Sequence, residues 1–272
     1  MTGERHVKGL WGTAAKYSDG AIAICLRLSY LLDIPLRGVQ GLVRSWFRVC
    51  EIDLPVPHYS RLSRRAKNLD INLAARPKQG KIDVVIDATG LKVYGEGEWK
   101  TRQHGKEKRR TWRKLHLSSD PESFEIVGCE LTETSVADGT MLPKLIEESD
   151  INNAYADGAY DWKGLHKKVE AKEGKLVAPP RGNAVISIPE DEAGKLTIRD
   201  KYIIEIEQTS LEEWKQRVGY HIRSLSETQF YRLKYMLSDK LRSRLFENQK
   251  IEAKLKAHIL NVMTQITLPK AT

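Results

Sequence analysis

Apolar positions in the first eighty residues recur at helical spacing, whereas those that follow come in short blocks suited to strands. Ser18 is placed to cap a helix through Leu32, Pro35 sits at the first turn of a second helix reaching about Val49, and a third follows Pro57. Residues 70 to 81 lose apolar periodicity and contain Pro77 and Gly80, which predicts a domain boundary there. Beyond it, residues 82 to 86, 91 to 94, 115 to 117 and 124 to 131 read as strands rich in branched and aromatic side chains. Asp138 predicts a cap for a helix to about Glu148, residues 154 to 156 a brief strand ending at Asp157, residues 162 to 173 a helix, and residues 175 to 178 a return to strand. Between Arg181 and Gly219, Ile198, Tyr202 and Ile206 suit a helix while residues 204 to 207 alternate like a strand; helix is the preferred reading. From Tyr220 the chain reads helical to about Thr264, with a break near Ser238 and Asp239. The pattern predicts a helical domain over residues 1–75 and an α/β domain over residues 76–272, the latter with a mostly helical insertion at about 181–219.

Composition narrows the class of protein. No stretch approaches the roughly 18 to 20 uninterrupted apolar residues of a membrane span, and the first residues lack the order of a secretory signal. Cys25, Cys50 and Cys129 are odd in number and far apart, which argues against a disulfide framework or a thiolate zinc site and predicts small buried hydrophobes. The net charge of +9 suits a polyanionic partner. It is concentrated in two places. Residues 99 to 116 hold eight Lys or Arg against one acid, and residues 1 to 80 hold thirteen against six.

In the third predicted helix, Arg61, Arg64 and Arg65 suit the recognition helix of a helix-turn-helix unit, and equally a solvated face. His104, Lys106, Lys108, Arg109, Arg110 and Arg113 form a cluster suited to DNA phosphates, or alternatively a solvated hairpin. Asp87 and Asp157 each close a short apolar strand, where side chains emerge at the edge of a sheet, but each precedes a glycine within a few residues and also fits a turn or cap. On a helical wheel with Arg223 at zero, Glu227 falls at about 40°, Lys234 at about 20° and Tyr220 at about 60°, one face of a helix. Such a stripe is also what a ladder of exposed ion pairs looks like.

Three segments occur in order: Ile86-Asp87-Ala88-Thr89-Gly90-Leu91-Lys92 leading to the basic run through Leu117, then Ala156-Asp157-Gly158-Ala159-Tyr160-Asp161, then the spacing Tyr-x-x-Arg-x-x-x-Glu-x-x-x-x-x-x-Lys met by Tyr220, Arg223, Glu227 and Lys234. Together they resemble the DDE transposases of bacterial insertion sequences, closest to the group named for insertion sequence number five. The likeness runs from about Trp11 to Pro269. Relatives usually carry more residues before this start, so part of the end-recognition domain is expected to be missing. Ser226, Phe230 and Ser238 stand where relatives more often have valine, methionine and glycine.

The resemblance implies a ribonuclease H-like mixed sheet flanked by helices, preceded by a small helix-turn-helix-like DNA-binding domain. It implies that Asp87, Asp157 and Glu227 converge to hold two divalent cations, Mg2+ or Mn2+, as hard oxygen donors favour. Cleavage at the terminal inverted repeats of double-stranded DNA and strand transfer into target DNA would follow, by two-metal phosphodiester hydrolysis and transesterification. Tyr220, Arg223 and Lys234 would contact DNA near the cut. A homodimer in the DNA complex and a cytoplasmic, nucleoid-associated location in a bacterium are implied in the same way. Two other readings share much of this sequence: a ribonuclease H-like nuclease that cuts without joining, and a catalytically inactive DNA-binding remnant or regulator.

Overall fold

The computed structural model describes residues 16–73, 80–93, 111–186 and 196–267. The chain divides into two compact units, residues 1–70 and 71–272.

In the first unit α1 (Asp19–Leu31), α2 (Leu36–Val49) and α3 (Tyr59–Ala66) pack pairwise around buried Ile22, Leu26, Val39, Val43 and Leu62. The starts are those the sequence predicts. Ser18 Oγ accepts the Ala21 amide at 3.2 Å, and Pro35 precedes α2. His58 Nδ1 accepts the Ser60 amide to begin α3, while Gln40 Oε1 accepts the Tyr59 amide at 3.1 Å and ties α2 to it. Cys25 is buried as expected, but Cys50, at the end of α2, is exposed.

The second unit is built on a six-stranded sheet in the order β3-β2-β1-β4-β5, with β6 on β1. The strands are β1 (Ile82–Val93), β2 (Trp112–Ser119), β3 (Ile126–Glu133), β4 (Ile151–Tyr155), β5 (Lys175–Val177) and β6 (Lys240–Leu241). The pairs β1–β2 and β2–β3 are antiparallel, and β1–β4 and β4–β5 are parallel, a mixed sheet of ribonuclease H-like order flanked by helices. The two strands read from sequence over residues 82 to 86 and 91 to 94 are, as far as described, one strand, Ile82–Val93. Pairing with β2 from Val85↔Ser119 to Lys92↔Trp112 holds Ala88, Thr89 and Gly90 extended despite their weak apolar pattern.

Central β1 is covered on both faces, which explains its consecutive buried Val84, Val85 and Ile86. Val84 and Ile86 join Leu142, Leu145, Leu165 and Val169, from α4 (Leu142–Leu145) and α5 (Lys163–Glu170). On the opposite face Val85 meets Tyr155 of β4 and Val177 of β5, with Tyr202 from α6 (Ile198–Gln208) and Trp214 from α7 (Leu211–Arg217). Leu91, on that same face by strand alternation, packs with Leu115 and Leu117 of β2, Phe230 and Leu233 from α8 (Leu225–Leu237) and Leu260 from α9 (Phe246–Thr267). Asp87 and Thr89 lie between these two apolar clusters.

In the 181–219 segment residues 181–186 are irregular, while Ile198–Gln208 and Leu211–Arg217 are helices, so residues 204 to 207 are helical as preferred from sequence, and Thr197 and Asp200 form a reciprocal capping box at the start of α6. The helix predicted from Asp138 is instead a 3₁₀ turn, Asp138–Met141, followed by the single turn of α4. Asp138 does not cap it. Its carboxylate accepts Lys114 Nζ at 3.0 Å, and Ala137 takes the cap position. Here β3 approaches α4 so closely that a Cβ on Gly128 would stand 2.3 Å from the Leu145 carbonyl oxygen. Gly128→Ala is therefore expected to cost about 1–3 kcal/mol of stability, because backbone rather than a flexible side chain must shift. A thermal midpoint equal to that of the unsubstituted protein would contradict this.

Candidate active site

Asp87 stands where β4 stops. One edge of β1 pairs with β2 from Val85 to Lys92, but on the other edge the pairing with β4 ends at Val85↔Tyr155 and that with β6 starts at Lys92↔Lys240. Asp87 and Asp157 both lie two residues beyond that last β1–β4 pair. The side chain of Asp87 is 16% exposed. Its Oδ1 accepts the Ala88 amide at 2.8 Å, and its Oδ2 accepts Ser226 Oγ at 2.9 Å and Arg223 Nη2 at 3.3 Å. Asp157 follows β4 directly through Ala156 and caps a 3₁₀ turn, Gly158–Tyr160, accepting the Ala159 amide at 2.9 Å.

The segment facing these two acids begins at Gly219, whose φ of 69° is the left-handed turn that glycine takes without strain. Residues Tyr220–Ser224 form a 3₁₀ turn that runs into α8. The single helical face drawn from the sequence is thus broken at its start, because residues advance by about 120° in a 3₁₀ turn rather than about 100°. Tyr220 packs against the buried Trp214 ring, and its hydroxyl donates to the Ala156 carbonyl at 3.2 Å. Lys234 Nζ donates to Thr89 Oγ1 at 2.6 Å. Three of the four signature residues are thereby placed over the Asp87–Asp157 edge. Arg223 reaches Asp87, Tyr220 reaches the residue before Asp157, and Lys234 reaches a residue two along from Asp87.

Glu227 differs. It lies on the first turn of α8, next to Ser226, but is exposed and has no hydrogen-bond or ion-pair partner among the described residues. Among the described residues no group of three His, Cys, Asp or Glu is placed to hold a metal ion. The donor set nonetheless suits a hard divalent cation, since Asp87, Asp157 and Glu227 offer oxygen only. As arranged, Arg223 and Ser226 occupy one oxygen of Asp87, and the set does not close around an ion.

Tyr160, three residues past Asp157, is almost wholly buried, and its hydroxyl has no partner. Burial raises its pKa, as do the charges of Asp138, Asp87 and Asp157, while Arg223 opposes them. Its hydroxyl is thus within electrostatic reach of both strand-end acids. Tyr220 is raised for the same first reason, burial; Arg223 lowers it, and Asp157 and Asp87 raise it.

Other predicted positions are less free than the sequence implied. Arg65 pairs with Asp19 and donates to the Tyr17 carbonyl, Arg64 Nε donates to the Ser60 carbonyl of its own helix, and Arg61 lies over the Tyr17 ring. Arg113 donates to Gln249 Oε1 at 3.2 Å and stacks on Phe246, so it is bound to α9. His104, Lys106, Lys108, Arg109 and Arg110 lie outside the described residues.

Sequence reading assigned no role to Ser226, Tyr160, Asp161 or Arg199. Arg199 did carry a signal. It shares a helix face with Tyr202 and Ile203, three and four residues on, and an arginine on a buried stripe requires a partner.

Two family models, each described as a transposase DDE domain, match the chain, one over residues 2–96 and the other over residues 78–262. The second spans most of the sheet, both strand-end acids and the Tyr220–Lys234 segment. With that extent of match on a ribonuclease H-like sheet, the chain belongs to the DDE transposases.

Proposed function

We propose that this transposase cuts double-stranded DNA at the terminal inverted repeats of an insertion sequence and joins the freed 3′-hydroxyl to target DNA. Asp87, Asp157 and Glu227 would hold two divalent cations, Mg2+ or Mn2+. The observation that carries this reading is the placement of Asp87 and Asp157 just past the end of the parallel β1–β4 pairing, facing a segment that bears Arg223 and Glu227. Bound cations supply an activated attacking oxygen and charge stabilisation at the leaving one.

The chain's own residues do the rest. Arg223, whose side chain reaches Asp87 and stays 23% exposed, would offer its guanidinium beside Asp87 to a non-bridging phosphate oxygen. Lys234, anchored on Thr89, brings a second cation to the same edge. Tyr220 holds the Ala156 carbonyl and so fixes the backbone entering Asp157; its hydroxyl is engaged there, and no tyrosine or serine nucleophile is required. Joining two ends calls for a homodimer in the DNA complex. The exposed part of the first unit and the basic run before β2 are the surfaces proposed to bind DNA, and among the described residues no helix is long and apolar enough to cross a membrane.

The decisive experiment supplies a pre-cut end with a free 3′-hydroxyl, a target plasmid and Mg2+. Joined product is expected. Cutting of uncut ends without any joining would replace this reading with a plain nuclease, and end binding with neither reaction would leave an inactive remnant.

A further inference from the structure

The turn that carries Asp157 is gripped from outside by the segment lying between the second and third acids. Asp161 has a fully buried side chain that receives a two-pronged bond from Arg199, Nε to Oδ1 at 2.7 Å and Nη2 to Oδ2 at 2.9 Å. His166 Nε2 lies 3.3 Å from Oδ1, and the Arg181 amide donates to Oδ2 at 3.3 Å. Arg199 itself is held by the Val185 carbonyl at 3.2 Å. The Arg181 side chain donates to the carbonyls of Gly158 and Ala159 at 3.3 and 3.4 Å. Tyr220 takes the carbonyl of Ala156. The acceptors at Ala156, Gly158, Ala159 and Asp161 all lie within four positions of Asp157. The 3₁₀ turn between Asp157 and Asp161 has little slack, because Asp157 also accepts the amide of Ala159 within it.

A buried ion pair is a poor route to stability alone, since the desolvation of both charges offsets most of their attraction, yet it fixes geometry tightly. Burial works to raise the Asp161 pKa, but the bonds from His166 and Arg199 outweigh it and hold the carboxyl below its ordinary range, so it stays ionised.

We propose that the Asp161–Arg199 fork is a positioning device that sets the Asp157 carboxylate, and that Arg181 and the start of α6 at Arg199 serve as its brace. The proposal rests on Asp157 being a cation ligand. Two readouts besides cleavage test it: amide hydrogen exchange over residues 157–161, and the Mn2+ concentration that half-saturates the rise in melting temperature. In Arg199→Gln protein that still melts cooperatively, the amides of the turn are expected to exchange about tenfold faster or more, while those of α8 and α9 stay unchanged. Half-saturation by Mn2+ should need about tenfold more ion, as for other changes to groups that orient a ligand. Arg199→Lys, which keeps the charge but loses the fork, should fall between. Asp161→Asn, close in shape, gives the same readouts if Arg199→Gln does not fold.

Unchanged exchange in the turn of a folded variant overturns the brace. Uniformly faster exchange through the whole unit also overturns it, as the mark of a merely stabilising pair. Asp157→Asn is measured alongside. If that variant keeps the full Mn2+ response, the ligand reading fails, and the exchange data still decide whether the brace exists.

Discussion

Asp87→Ala, Asp157→Ala and Glu227→Ala are each expected to lower the rate of Mg2+-dependent cleavage by on the order of 10³-fold or more, with salt-dependent DNA binding largely retained. The three are not equivalent controls. Asp87 receives Ser226 and Arg223, so its loss leaves a partly buried guanidinium short of a partner and should cost about 1–3 kcal/mol of stability as well. Asp157 caps a turn, and its replacement should loosen that turn by about 0.5–2 kcal/mol. Glu227 is exposed and bonded to nothing described, so Glu227→Ala should stay within about 0.5 kcal/mol of the parent protein. Loss of cleavage in that variant therefore reports chemistry rather than folding. Near-normal cleavage by a folded Glu227→Ala protein would remove the third acid from the site and with it the three-carboxylate reading.

The strand-end placement of Asp87 and Asp157 is legible in sequence and the exact facing of Glu227 is not, for one physical reason. Strand periodicity is local: a short apolar run ending in an acid predicts a carboxylate at the end of a pairing, and β1 and β4 do release theirs together beyond Val85↔Tyr155. The limits of β1 were not local. Its polar middle stays extended only because β2 pairs along it. The starts of α1 and α2 were legible for the same reason as strand-end acids, since Ser18 and Pro35 act within a turn of themselves, whereas Asp138 is drawn from its cap by Lys114, a residue distant in sequence.

The facing of Tyr220, Arg223 and Glu227 depended instead on a 3₁₀ turn replacing the first helical turn, which shifts the earlier residues around the axis relative to the later ones. Contacts such as Ser226 to Asp87, or Arg199 to Asp161, join residues far apart in sequence, and no periodicity encodes them. The sequence signal in those cases is a polar residue on a face that otherwise points inward. Arg199 shows it, as does Ser226, buried beside the exposed Glu227. Apolar patterning finds elements. Violations of the pattern mark where distant parts of the chain are joined.

The same rule singles out Lys256 and Glu252, charged residues on the inner face of α9 that are 1% and 0% exposed in their side chains. They pair at 3.3 Å across one helical turn, and each also bonds backbone in the connection between α8 and α9. Glu252 accepts the amides of Arg242 and Ser243, with distances of 2.9 to 3.0 Å, while Lys256 Nζ donates to the Lys240 carbonyl at 2.7 Å. Between them they fasten the connection from α8 to α9, including β6, whose pairing with Lys92 and Val93 ends the free edge beside Asp87. Asp239 adds an ion pair to Lys92 at 2.7 Å. Lys256→Met fills the volume but strands a buried carboxylate, and is expected to destabilise the second unit by about 3–5 kcal/mol. Exchange of the two charges for an apolar pair, Glu252→Leu with Lys256→Met, should recover only part of that loss, because the bonds to the Arg242 and Ser243 amides and to the Lys240 carbonyl are then lost. Urea unfolding of the two single variants and the double variant measures both statements. A loss under about 1 kcal/mol for Lys256→Met would mean that the pair is dispensable, and that β6 is held to β1 by its own ladder and the Lys92–Asp239 bridge alone.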